Sequence, residues 1–255
     1  MHIETDCKHV YGVTSVGDEL FALLDRESDQ VAVYSTNDYQ LLRRLDVPES
    51  SIDMTSCVRR KCLYMSDYAY RSIYRYALAS SDTSKWPLSF EPDSLSVTPN
   101  GNLLVACHDA NKLVELSAES GEQVREISLQ EDIEDLWHGI QLANGQFVVC
   151  HGVYGSLSRV CMVDGDGRVT RSYGGVYGSG DRQLYFPDHL AVDEDSQLIF
   201  VADYRNQSVV VLSPTLQFVR YIREGMSRPH RLYLDQTTRR LYVGQIDGDV
   251  IVIQL

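Results

Sequence analysis

The sequence predicts an all-β fold, a six-bladed β-propeller of four-stranded antiparallel blades, on three observations. The stretch from Phe186 to Tyr221 reads as four alternating strands, HLAVD, LIFVAD, SVVVLS and QFVRY, parted by turns rich in Asp, Asn, Ser and Pro. Near copies of it recur along the chain at intervals of 40 to 50 residues, the period of one four-stranded sheet per repeat. The last copy stops in its third strand at Leu255, while His2 to Lys8 precede the first copy and can supply the missing strand. Closing the ring this way removes two bare sheet edges that would otherwise invite aggregation.

Taken in order, the repeats are anchored two residues before the first apolar residue of each opening strand. YGVTS with ELFALLDRESDQVAVYS begins at Tyr11, and SIDMTSC with KCLYMSDYAYRSIYRYAL is anchored at Asp53. EPDSLSV with NLLVACHDANKLVELS follows at Asp93, and LWHGIQL with QFVVCHGVYGSLSRVCMV at His138. The stretch that defined the pattern is anchored at Asp188, and RPHRLYLD with RRLYVGQIDGDVIVIQL at His230. Six anchors predict six blades in one domain spanning residues 1 to 255. Neither the polar run Ser80 to Ser84 nor the Gly-rich run Gly174 to Gly180 reads as a domain boundary, since both fall between blades.

Composition narrows the function classes. Hydrophobic residues make up 44% of the chain but lie in short runs, none near the roughly 20 residues a membrane helix needs. The N-terminus, MHIETDCKH, lacks the basic and apolar layout of a signal peptide, so a cytoplasmic monomer is expected. Six cysteines sit mostly inside apolar strands and read as buried thiols, with Cys57 and Cys62 placed to face each other across a hairpin. A net charge of -13 repels nucleic acid phosphates. The basic runs Arg43 and Arg44, Arg59 to Lys61, and Arg239 and Arg240 read as solvated surface.

The repeat form Pro-x-x-apolar-Ala-Val-Asp, apolar-Val-Ala-Asp, Asn-x-x-Val resembles the NHL repeat, most closely at Pro187 to Val192 and Val201 to Val209. The resemblance implies a protein-binding or RNA-binding module like those at the C-terminus of tripartite-motif proteins. A basic face serves the RNA-binding members, and this acidic chain departs from that. LYMSDYAYRSIYRYAL is similar to the YWTD repeats of secreted receptors, whose usual disulfide-rich companion modules are absent. An enzymatic branch is also similar: the peptidyl-amidoglycolate lyase propeller binds zinc through histidines at first-strand starts. Pro229, His230, Arg231 and Leu232 match its Pro-His-x-Leu, with Trp137 and His138 in the same register.

Opening strands of a propeller line its central channel, so their anchors should meet at one mouth: Asp53, Asp93, His138, Asp188 and His230, with Tyr11 beside them. His138, Asp188 and His230 come from successive blades and form a plausible set for a divalent metal. The same polar ring also suits a water-filled channel that needs no cofactor. Second strands end on this face, and after them come Tyr68, His108, His151, Tyr154 and Tyr204. Together with Tyr11, these aromatic and imidazole side chains suit the binding of a protein or peptide. No Gly-x-Ser-x-Gly, phosphate loop or His-Glu-x-x-His is present. The expectation is a non-catalytic scaffold, with a metal-dependent lyase or hydrolase as the alternative and RNA binding third.

Overall fold

A computed structural model describes residues 1–5, 8–24, 30–48, 50–108, 110–153 and 157–255. Strand β1 (His2–Glu4) precedes the first blade, which holds β2 (Val10–Val16), β3 (Glu19–Leu24), β4 (Gln30–Ser35) and β5 (Leu41–Asp46). The second blade holds β6 (Ser51–Cys57), β7 (Cys62–Asp67), β8 (Ser72–Ala77) and β9 (Thr83–Pro87). The third holds β10 (Ser94–Val97), β11 (Leu103–Cys107), β12 (Lys112–Leu116) and β13 (Gln123–Ser128). In the fourth are β14 (Leu136–Gln141), β15 (Phe147–His151), β16 (Leu157–Val163) and β17 (Val169–Val176). The fifth comprises β18 (Pro187–Val192), β19 (Ile199–Asp203), β20 (Ser208–Leu212) and β21 (Phe218–Ile222). The sixth runs β22 (Pro229–Asp235), β23 (Arg240–Gln245) and β24 (Asp249–Gln254), and β1 pairs antiparallel with β24 to complete it.

All six sheets are four-stranded meanders. Opening strands of neighbouring blades pack against one another around a ring that closes from β22 back to β2. The pattern of the strands explains this arrangement. Second and third strands are apolar on both faces, as in Leu103–Cys107 and Ser208–Leu212, because each blade is covered on both sides. Fourth strands such as Leu41–Asp46 and Gln123–Ser128 are mostly exposed and carry the charge. The core is accordingly divided into six wedges, one between each pair of adjacent blades.

Five cysteines, Cys57, Cys62, Cys107, Cys150 and Cys161, are buried free thiols, and Cys57 lies directly opposite Cys62 across the β6–β7 hairpin. Apart from a 3-10 turn at Tyr204–Asn206, the described residues contain no helix, and none is long and apolar enough to cross a membrane.

One irregularity positions the site. In five blades the first strand carries an extra residue against the end of the second, a bulge between Val10 and Gly12, Ser51 and Asp53, Leu136 and His138, Pro187 and His189, and Pro229 and Arg231. Two successive side chains at each strand start therefore take different roles.

Candidate functional site at the channel mouth

The bulges separate the expected ring of anchors into two tiers. By strand pairing, the residues that occupy equivalent positions just inside the channel are Gly12, Asp53, Ser94, His138, His189 and Arg231. Tyr11, Trp137, Asp188 and His230 are the bulged residues one step earlier and form the outer tier. The expected equivalence of Tyr11, Asp53, Asp93, His138, Asp188 and His230 thus mixes the tiers. Likewise Trp137, not His138, is the structural counterpart of His230.

In the inner tier, His138 and His189 stack, with ring centroids 3.7 Å apart and planes 27° from parallel. His138 Nε2 lies 3.3 Å from the Leu95 carbonyl, to which it donates, leaving Nδ1 buried without a partner. His189 Nδ1 accepts the Leu232 N–H at 3.4 Å, so its proton is on Nε2, 4.0 Å from Asp53. Asp53 Oδ2 accepts the Leu95 N–H at 2.7 Å, and Oδ1 lies 3.2 Å from Arg231 Nε as an ion-pair contact rather than a directed hydrogen bond. The Arg231 donors point elsewhere, to the carbonyls of Tyr11 at 2.9 Å, Ile52 at 3.2 Å and His230 at 3.1 Å. Gly12 lets β2 lie close against β6 beside these contacts, because a Cβ there would stand 2.8 Å from Met54 Cβ. Arg231 thereby ties the sixth blade to the first and second.

Burial sets the charge state of this tier. It drives His138 down to about 3 and His189 well below the usual imidazole range, the latter helped by the neighbouring His138 and Arg231. Burial raises the Asp53 carboxyl to about 6, against the opposing pull of Arg231 and the backbone N–H groups of Leu95 and Met54.

The outer tier is built around His230 and Asp188. His230 Nδ1 donates a hydrogen bond to Asp188 Oδ2, and Arg231 Nη1 stands 3.5 Å from the same oxygen. Nε2 of His230 is then an unprotonated nitrogen, buried and without a hydrogen-bond partner. Burial would raise the Asp188 carboxyl, but His230, Arg231 and His138 outweigh it and hold the group below the usual range. Burial and Arg231 lower His230, with Asp188 opposing, so the imidazole is neutral at physiological pH.

The expected metal set His138, Asp188 and His230 is not the one the fold gathers. Among the described residues, the group with ligand atoms mutually within 4.8 Å is Asp53, His138 and His189. Its chemistry fits a cation poorly, since His189 presents an N–H to the centre and the Arg231 guanidinium already lies against Asp53.

The remaining expected residues separate further. Tyr11 packs edge-on against His230 at 5.6 Å, Tyr204 lies 6.4 Å from the same ring, and His108 contacts Trp137 at 4.7 Å. Tyr68 is exposed at the rim. Asp93 is drawn away from the axis because its Oδ2 accepts the His108 N–H at 2.7 Å. His151 does not project from the surface as expected. It is fully buried at the end of β15, donating Nδ1–H to the Glu134 carbonyl at 3.1 Å and accepting from Arg159 at 3.3 Å. Tyr154 lies outside the described residues. Sequence reading missed His189 and Arg231. They pair with Ala202 and Gly244 on the second strands, and no local pattern marks them, because the bulge before each has no compositional signature.

Two of the basic runs hold an ion pair, Arg43 with Glu19 and Arg239 with Asp193.

These features define a six-bladed β-propeller with a polar, histidine-bearing axial site. The solved structures it is similar to include hydrazine synthase of Kuenenia stuttgartiensis, at TM-score 0.71 and 14% identity over 100% of this chain and 98% of that one. Virginiamycin B lyase of Staphylococcus aureus is similar at TM-score 0.69 and 10% identity, again over 100% and 98%. A catalytically inactive histidine-to-alanine variant of that lyase, with quinupristin, gives TM-score 0.71 at 10% identity over the same shares. At these identities the likeness is one of fold. No family model and no curated protein matches the chain, so the NHL pattern stays a resemblance.

Proposed function

We propose that the channel mouth is the active site of a lyase or hydrolase acting on a small organic molecule, with His230 as general base and Asp188 as the group that fixes its tautomer. One observation carries this reading: the hydrogen bond to Asp188 leaves His230 Nε2 with an available lone pair, buried and unpartnered, at the opening of the channel. A base of this kind removes a proton from water or from a carbon beside a carbonyl. Asp188 then stabilises the imidazolium that forms. No metal enters this scheme. Two similar solved structures bear enzyme names, a lyase and a synthase, which agrees with a catalytic role for the fold.

The test is a screen of activated esters, lactones and carbonyl compounds that eliminate a β-substituent after α-proton loss. Activity in the wild type should fall by ~10²-fold or more in His230→Gln. Full activity in that variant would overturn the assignment.

The scaffold reading expected from the sequence is favoured by a separate observation, the exposure of Tyr68 and Tyr70 (36% and 63%) on the loop after β7, on the same face. Selection of peptides on the immobilised protein, with loss of the selected binders in Tyr70→Ala, would support it. RNA binding is opposed by the net charge of -13.

A further inference from the structure

Six rings form a continuous arc around the mouth. Tyr11 meets His230 at 5.6 Å, His230 meets Tyr204 at 6.4 Å, and Tyr204 meets Phe186 at 5.8 Å. Phe186 in turn meets Trp137 at 4.9 Å, and Trp137 meets His108 at 4.7 Å. All six are half-buried, so none is closed off from solvent.

Backbone geometry singles out Phe186. The residue immediately before the first strand is left-handed in three blades, at Ser50 (φ 72°), Asp135 (φ 54°) and Phe186 (φ 71°). Two blades fill this position with short polar residues, and Asp is among those that tolerate it best. The fifth blade holds a bulky aromatic there, a residue that this conformation disfavours. The surroundings keep it in place: Phe186 O accepts the Tyr204 N–H at 3.1 Å, and the preceding Tyr185 N–H is held by Asp203 at 2.7 Å. Other bulky residues such as Tyr39 and Leu216 share a positive φ, and what distinguishes Phe186 is that its ring bridges Trp137 and Tyr204.

Charge limits what the arc can take. The Asp188 carboxylate lies beneath the rings, and Asp135 is 3.7 Å from His108. The buried cation Arg231 is engaged by three backbone carbonyls. An anionic ligand would therefore meet repulsion, whereas a neutral or cationic π-system would stack favourably.

We infer that the arc from Tyr11 to His108 is a stacking subsite for a flat, conjugated ring system carrying no negative charge, and that such a ring is part of the substrate. This rests on the reading of the mouth as an active site, and it places the substrate's reactive proton next to His230, within the arc.

The experiment measures binding of four probes by calorimetry and saturation-transfer NMR: 2-naphthylmethanol, 2-naphthylmethylammonium, 2-naphthoate and decahydro-2-naphthylmethanol. The first two should bind, with naphthoate and the saturated alcohol about tenfold or more weaker. Phe186→Leu and Trp137→Ala should each weaken the naphthyl alcohol about tenfold, while Phe218→Ala on the outer strand β21 changes nothing. Phe186→Gly, which relieves the left-handed strain, should lose binding with a thermal midpoint within ~3 °C of the wild type. Equal affinity for the flat and saturated alcohols, tighter binding of naphthoate, or wild-type affinity in Phe186→Leu would each overturn the subsite. Asp188→Asn leaves every ring in place and should keep the affinity of the neutral naphthyl alcohol within about threefold, while it weakens the ammonium and tightens naphthoate. Probe binding in a protein with no His230-dependent turnover therefore sinks the catalytic reading alone, and turnover without probe binding sinks the subsite alone.

Discussion

His230 and Asp188 stand 42 residues apart in the chain and on adjacent blades, yet one donates a proton to the other at the opening of the axial channel. Both are bulged residues of their opening strands. The extra residue in each strand turns these side chains up toward the mouth while their successors, His189 and Arg231, take inner-tier positions.

The first prediction concerns that pair. Asp188→Asn keeps the size of the side chain but lets an amide N–H meet Nδ1, which favours the opposite tautomer and puts the proton on Nε2. Activity found in the wild type should drop by ~10² to 10⁴-fold in this variant, with substrate affinity little changed. A rise in KM with kcat intact would show that Asp188 binds substrate instead.

The second concerns pH. Asp53 holds its proton up to about 6 in the folded chain, against 3.8 for an unperturbed carboxyl. Between these values the native state binds a proton that the unfolded chain has released. Its contribution to stability is therefore full below about pH 4 and lost as pH rises through about 6. His138, at about 3, works in the opposite direction, so the informative quantity is a difference. The thermal midpoint of Asp53→Asn relative to the wild type should become more favourable from pH 4 to pH 7. A difference that is flat across this range would show that Asp53 is ionised throughout.

The third tests the axial tie. Arg231 is buried beside Asp53 and Asp188 and bonds carbonyls of three blades. Removing it strands two carboxylates, and Arg231→Ala should cost about 3 to 5 kcal/mol in denaturant unfolding. A loss below ~1 kcal/mol would mean that the carboxylates find other partners.

The fourth tests the close approach of β2 to β6. Gly12→Ala puts a methyl group 2.8 Å from Met54 Cβ and 2.9 Å from Met54 N, and should destabilise by about 1 to 3 kcal/mol through overpacking. Retained stability would show that β2 can shift outward without loss.

The fifth concerns metal. With an N–H of His189 and the guanidinium of Arg231 facing Asp53, the purified protein should hold far less than one equivalent of zinc or other divalent metal after dialysis. Stoichiometric metal, lost in both His138→Ala and His189→Ala, would reverse that conclusion.

Six blades, their strands and the closing N-terminal strand were legible because a buried strand between two apolar wedges must be apolar on both faces. That demand repeats at every blade, as in Leu103–Cys107 and Ser208–Leu212. The site was legible only in part. A bulge leaves no compositional mark, so Pro-Asp-His at 187 to 189 and Pro-His-Arg at 229 to 231 do not reveal which residue faces the axis. Aligning by apolar runs places Asp188 beside His138, although strand pairing puts His189 there. The burial of His151 was hidden for a related reason. Its partners, the Glu134 carbonyl and Arg159, come from a link and a third strand whose approach no local pattern encodes.

Strand β1 pairs through His2, Ile3 and Glu4 with Ile251, Val250 and Asp249, and Met1 adds two backbone hydrogen bonds with Val252. The sixth blade is therefore complete only when segments from both sides of the ring meet in one sheet. Parted, they would leave an open crescent with an unpaired edge at each end, so a substitution at Ile3 would move the balance from a closed disc toward an aggregate.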